Sequence, residues 1–264
     1  MKIDLQLNQG FASWPLLREA GQAAEEAGFS ALWNLDHFSG DMFGADSMLE
    51  CFTSMAAWAS TTTTIGLGTL VANINNRHPG LLANCVSSIQ QISDNRFTLG
   101  IGAGASPNSP YATEQRALGI DVLSTMEKRH QYLMEAVDTM RTIWSNDRDE
   151  LLKGFPRPAV TPKIVAGVNS VGLAEIAGEK LDGVNTRFNH DQRALLLKTA
   201  IATSGNRTDF DVSVWSWFEP EYADPDHPFH RELAAEGVTR LIMAVQRNPD
   251  LAAISSVARY LPKA

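Results

Sequence analysis

The sequence predicts an α/β fold, a (β/α)8 barrel of the TIM type, as one domain over residues 1–264. Three observations predict it. Eight apolar runs of strand length recur along the chain, and amphipathic stretches at helical spacing separate most of them. The length of 264 residues is close to the ~250 typical of such barrels.

The first strand is read at 3–7, so the N-terminus reads as a strand rather than a signal peptide. A helix over 16–27 stops at Gly28, a residue suited to a helix C-cap. The second strand, 31–35, ends in Asp36-His37, and a helix over 50–60 leads to the third strand, 64–71. Asn73 and the turn Arg77-His78-Pro79 follow, with the proline opening a helix over 81–92. The fourth strand is 97–102. Residues 103–125 form a connection rich in Ser, Pro and Asn, of the length that covers or binds a ligand. The longest helical pattern, 126–144, precedes a charged and then Pro-rich loop over 145–162. Strands at 163–167, 182–186, 210–217 and 239–245 complete the count, with helices at 171–179, 192–203, 229–236 and 251–260.

Composition excludes several function classes. A net charge of −8 opposes nucleic-acid partners, since phosphate binding needs clustered Lys and Arg. No apolar run reaches the ~20 residues of a membrane span. Cys51 and Cys85 read as buried thiols, not as a disulfide framework or a zinc site. No histidine pair has metal-ligand spacing on one element, so no catalytic metal is expected. Gly-x-Ser-x-Gly is absent, which leaves a serine hydrolase without support. These readings lead to an expectation of a soluble, cytoplasmic protein.

A parallel barrel places the C-terminal ends of its strands on one face, where active sites sit. Asp36-His37 falls there. A histidine can exchange a proton near neutral pH, and a neighbouring carboxylate can orient it. The same pair could equally cap a helix or meet water. Gly102-Ala103-Gly104-Ala105 lets backbone approach a flat ring or a phosphate, or simply makes a turn. Asn108 lies close enough to reach the same ligand. Gly167-Val168-Asn169-Ser170-Val171-Gly172 is a strand end, a small polar loop and a helix N-terminus, an arrangement that binds phosphate through backbone amides. Asn169 or Ser170 would also serve there as a plain N-cap. Leu70 and Val71 read as core by themselves. His130, His190, His227 and His230 read as surface or structural.

Further motifs run in order along nearly the whole chain. They include Glu26-Ala-Gly-Phe-Ser-Ala-Leu-Trp33, Glu50-Cys-Phe-Thr53, Ala56-Ala-Trp-Ala59 with Thr62, and Ile65-Gly-Leu-Gly-Thr69. Arg77-His-Pro-Gly-Leu-Leu-Ala83 and Ile92 through Gly104 follow, then Ala177 through Thr186 and Glu236 through Ile242. Together with Asp36-His37 this order and spacing resembles the bacterial luciferase-like monooxygenase superfamily, and most of all its deazaflavin-dependent oxidoreductase branch. The resemblance implies a (β/α)8 barrel binding coenzyme F420, or alternatively FMN, at the strand ends. It implies a non-proline cis peptide at Leu70–Val71 supporting the isoalloxazine ring, with the catalytic Asp36 and His37 near its reactive edge. Asn73, Ala103, Gly104 and Asn108 would line the ring and ribityl chain, and Gly167, Ser170 and Val171 would sit at the phosphate. The implied activity is hydride transfer between F420 and a small organic substrate, in a homodimer. An FMN-dependent monooxygenase and a non-catalytic flavin-binding member are the alternatives. The chain departs from the family pattern in a shorter segment between strands four and five, and in Ala103 where some members carry a hydroxyl residue.

Overall fold

The fold is seen in a computed structural model that describes residues 1–262; positions 263–264 of the expected span lie outside the described residues. The strands are β1 (Lys2–Leu7), β2 (Ala31–Asn34), β3 (Gly66–Thr69), β4 (Ala72–Asn73), β5 (Phe97–Gly102), β6 (Ile164–Gly167), β7 (Gly183–Arg187), β8 (Asp211–Trp217) and β9 (Arg240–Val245). All pair in parallel, and β1 joins both β2 and β9, which closes the sheet. Segments β3 and β4 form one stave, since both pair with β5. The result is the expected eight-staved (β/α)8 barrel.

The difference from expectation lies in that third stave. The strand read as continuous over 64–71 breaks after Thr69 at the cis peptide Leu70–Val71 and resumes at Ala72. Leu70 N–H still donates to the carbonyl of Asn34 (2.8 Å), so the break bulges into the barrel mouth without leaving the sheet.

Helices α1 (Trp14–Ala27), α2 (Cys51–Thr61), α3 (Pro79–Ile92), α5 (Met126–Trp144), α6 (Val171–Lys180), α7 (Arg193–Thr203), α8 (Pro228–Ala235) and α9 (Leu251–Ser256) surround the barrel. In α1 the buried residues Leu17, Ala20, Gly21, Ala24 and Ala27 recur at three- and four-residue spacing and so make one face. Gly28 ends that helix in the left-handed conformation (φ 90°). Outward strand residues such as Leu5, Leu32, Leu67 and Leu99 pack with Leu17, Trp58, Leu82 and Val137 in one apolar layer between strands and helices. The barrel lumen holds a smaller cluster of Ala31, Trp33, Leu70 and Ile242. The 103–125 connection contains the short helix α4 (Thr113–Ala117), which its Ser, Pro and Asn content did not announce. No helix among the described residues is long and apolar enough to cross a membrane.

Candidate active site at the C-terminal barrel mouth

A cleft of 610 Å³ opens at the ends of β2, β4, β5 and β6, beside the N-termini of α5 and α6. Its lining includes Asp36, His37, Val71, Asn73, Ala103 and Gly104 on one side and Gly167, Asn169, Ser170, Arg129 and His130 on the other. Two further chambers adjoin it: one of 420 Å³ shares His37 and Tyr111 with the cleft, and one of 530 Å³ shares Val71, Gly167 and Asn169. A larger groove of 890 Å³ lies outside the barrel between α3 and α5 and touches no strand end.

Asp36 is committed elsewhere than expected. Arg77 donates to both its carboxylate oxygens (2.8 and 2.9 Å), and Asn73 N–H donates to the first of them (2.9 Å). Arg77 also pairs with Glu50, which caps α2 by accepting from Thr53 N–H, and stacks over the Phe52 ring at 4.7 Å. Burial alone would lower the guanidinium's pKa, but the two carboxylates raise it overall. Asp36 is 3% exposed and saturated with donors, so it ties the β2 end to the bulge and does not orient His37. Arg77 is thus more than the turn residue expected, whereas His78 caps α3 and Pro79 opens it as read.

The partner of His37 is Glu114, on α4. Its Oε1 lies 2.9 Å from His37 Nδ1, and its Oε2 accepts from the amides of Phe38 (2.8 Å) and Ser39 (3.1 Å). Burial would raise the Glu114 carboxyl, but the imidazole and the two amides more than offset it and hold the carboxyl below its usual value. A carboxylate on Nδ1 makes that nitrogen the donor, which leaves Nε2 as the acceptor of the neutral ring. Phe43 packs edge-on against the imidazole at 4.9 Å between centroids.

The bulge is held from several sides. Gln6, reaching up the lumen from β1, donates to the Leu70 carbonyl (2.8 Å). A Cβ at Gly102 or at Gly167 would fall 2.8 Å from a Val71 methyl, so both glycines make room for that side chain. Gly104 has φ 84°, and a Cβ there would collide with Asn75 Nδ2. Asn73 caps the following turn through Asn75 N–H (3.0 Å) while lining the cleft.

Ser170 holds the N-cap position of α6, yet makes no capping bond, and its buried Oγ has no partner. With the free amides of the helix start and with Arg129 across the cleft, this donor set fits an anionic phosphate. His130, read as surface or structural, lines the cleft too; burial and the neighbouring Arg129 lower its pKa and favour the neutral ring.

Three expected residues stand outside the cleft, of which Leu70 lines the two adjoining chambers instead. Asn108 is exposed and lines no part of the cleft; Ser106 and Ser109 flank it there, and Ser109 caps the next turn. Val171 packs against the apolar layer instead of facing the cleft. Tyr111, Glu114 and Arg129 carry no sequence signal for the site, and Arg77 reads from sequence only as a turn residue. Glu114 and His37 lie 77 positions apart, with no local pattern joining them.

Residues 2–214 match the luciferase-like monooxygenase family. The chain belongs to this family. Among relatives of this luciferase-like protein is the F420-dependent hydroxymycolic acid dehydrogenase of Mycobacterium tuberculosis, 29% identical over 70% of this chain and 53% of the relative. A 5,10-methylenetetrahydromethanopterin reductase of Archaeoglobus fulgidus is 30% identical over 73% of this chain and 57% of its own length. A pyrimidine monooxygenase of Rhizobium rhizogenes is 28% identical over 78% of this chain and 60% of the relative. The chain therefore spans little more than half the length of these relatives. A solved F420-dependent secondary alcohol dehydrogenase, in complex with an F420-acetone adduct, superposes with a TM-score of 0.76 at 18% identity, over 99% of both chains. That likeness is one of fold.

Proposed function

We propose that the protein is an oxidoreductase that moves a hydride between coenzyme F420 and a small organic substrate. The observation that carries this reading is the place of His37. It lies just past the end of β2 beside the Leu70–Val71 bulge, with Nδ1 engaged by Glu114, and it lines both the cleft and the adjoining 420 Å³ chamber. F420 dependence in the names of several relatives supports the choice of coenzyme.

The coenzyme, when bound, supplies a two-electron hydride donor or acceptor. Val71, with Gly102 and Gly167 at its flanks, offers the floor under a flat ring. Asn73, Ala103 and Gly104 line the path between that floor and the start of α6. Ser170 Oγ, the amides opening α6 and Arg129 would hold the phosphate. His37 would hold or move a proton at the substrate oxygen through Nε2. Asp36 supports the wall of the site from behind. A homodimer is part of the same proposal, and light scattering in solution tests it.

Titration of the coenzyme-free protein with F420 and with FMN is the decisive experiment. F420 should bind more tightly. Tighter FMN binding would favour a monooxygenase, the second reading, which the pyrimidine monooxygenase relative supports; binding of neither would point to a non-catalytic member. His37→Ala should lower turnover at saturating coenzyme by ~10²–10⁴-fold. A mutant with weakened coenzyme binding and normal saturated turnover would make His37 a contact only.

A further inference from the structure

We infer that the substrate is an organic anion, a carboxylate carried on an apolar body, and that Arg187 binds its charged end. The reading of His37 at the reacting end rests on the proposed function, whereas the binding argument stands on the chambers alone.

Arg187 is the last residue of β7, in register with Trp215 of β8. Side chains alternate along a strand, so Arg187 shares the inward register of Asn185, whose amide bonds Ser213 of β8 inside the barrel. Arg187 and Trp215 both line the 420 and the 530 Å³ chambers. Among the described residues the Arg187 guanidinium has no hydrogen bond, ion pair or aromatic face. Every other arginine of the chain has at least one of these. No Asp or Glu lines either chamber, so nothing there neutralises it. In a chain of net charge −8, Arg187 is exposed at the barrel mouth and lines two concave chambers that hold no carboxylate, so its charge is open to a ligand.

The shape of the charge selects the ligand. A planar guanidinium offers paired donors that match a carboxylate bidentately. Beside it Trp215 and Trp217 pack in a T at 5.2 Å between centroids, and Met42 and Phe43 line the same 420 Å³ chamber. This wall suits an aromatic or alkyl body. His37 lines the same chamber, so a molecule anchored at Arg187 and lying along the tryptophans can present its other end to the imidazole.

The probe comparison needs no coenzyme, and a separate F420 titration distinguishes the two readings. Phenylacetate and its neutral isostere phenylacetamide are titrated against the protein, with tryptophan fluorescence and calorimetry as readouts. Phenylacetate should bind ~10-fold or more tightly than the amide, as expected of a charge-assisted pair. Arg187→Gln should remove that preference while leaving amide binding and the thermal unfolding midpoint unchanged, and Arg187→Lys should restore part of it. Equal binding of the two probes, binding of neither, or a preference that survives Arg187→Gln overturns the inference. So does a loss of F420 affinity in Arg187→Gln with probe binding intact, because the arginine would then serve the coenzyme. If the probes behave as expected and F420 fails to bind, the coenzyme reading falls and the anion site stands.

Discussion

Glu114 joins three donors from one strand end, and its charge is what they require. A glutamine there could still accept from His37 Nδ1, but its amide group cannot accept from Phe38 and Ser39 N–H as Oε2 does. Glu114→Gln should therefore cost about 1–2 kcal/mol near neutral pH. The pH dependence has a definite sign. The folded protein holds this carboxyl below its ordinary value, so the stabilisation is complete above the unfolded-state pKa and disappears as pH falls through the folded one. Urea unfolding of both proteins at about pH 7 and about pH 4 should show a gap that narrows in acid. A gap of the same size at both pH values would refute the account. His37 itself was legible as a strand-end histidine, but its orienting partner was not. The adjacent Asp36 was the natural expectation from sequence, and Arg77 had already claimed it in the fold.

At the scale of elements, the broken third stave shapes the site. Residues 64–71 carry Ile, Leu, Thr and Val with two glycines between them, so the apolar run alone makes them one strand; the family resemblance places the cis bond at Leu70–Val71, where the structure has it. Gly102 read as a residue that lets a ligand come close. In the fold it also accommodates Val71 from the neighbouring stave. Gly102→Ala should force Val71 to move and cost ~1–3 kcal/mol, the usual range for overpacking. Coenzyme affinity should fall with it, because the floor of the cleft shifts. Denaturant unfolding and coenzyme titration of the mutant measure the two effects, and a mutant with normal values in both would show that the bulge yields freely. Helix starts were more legible: Pro79 opens α3, and the 126–144 pattern returned as α5 with the same bounds. The 145–162 loop contains only the short turn Glu150–Leu152.

At the scale of the whole molecule, closure joins the first strand to the last. Six residue pairs, from Lys2 with Arg240 to Leu7 with Val245, run the length of β1 and β9. Inside that seam the fully buried Asp4 accepts from Trp33 Nε1 (2.7 Å) and pairs with Arg240. Burial raises the Asp4 carboxyl against the opposing pull of Arg240 and Trp33, so removing the arginine leaves a buried acid poorly compensated. Arg240→Ala should destabilise the fold by ~3–5 kcal/mol, the usual result of breaking a buried pair from one side. Equilibrium unfolding checks this, and a loss under about 1 kcal/mol would mean that the seam does not depend on the pair.

The sequence by itself determined the eight-staved barrel, the order of its elements, the ends of most strands and the family. These follow from local periodicity, capping residues and motif spacing, all of which are written within a few turns of chain. Only the tertiary structure decided which side chains meet at the mouth. Glu114 reaches His37 from the 103–125 connection, Arg77 takes Asp36, Arg129 and His130 enter from the start of α5, and Arg187 stands beside Trp215 without a partner. Residues far apart in the chain become neighbours only when the sheet closes, and no local pattern records which of them will then be opposite one another.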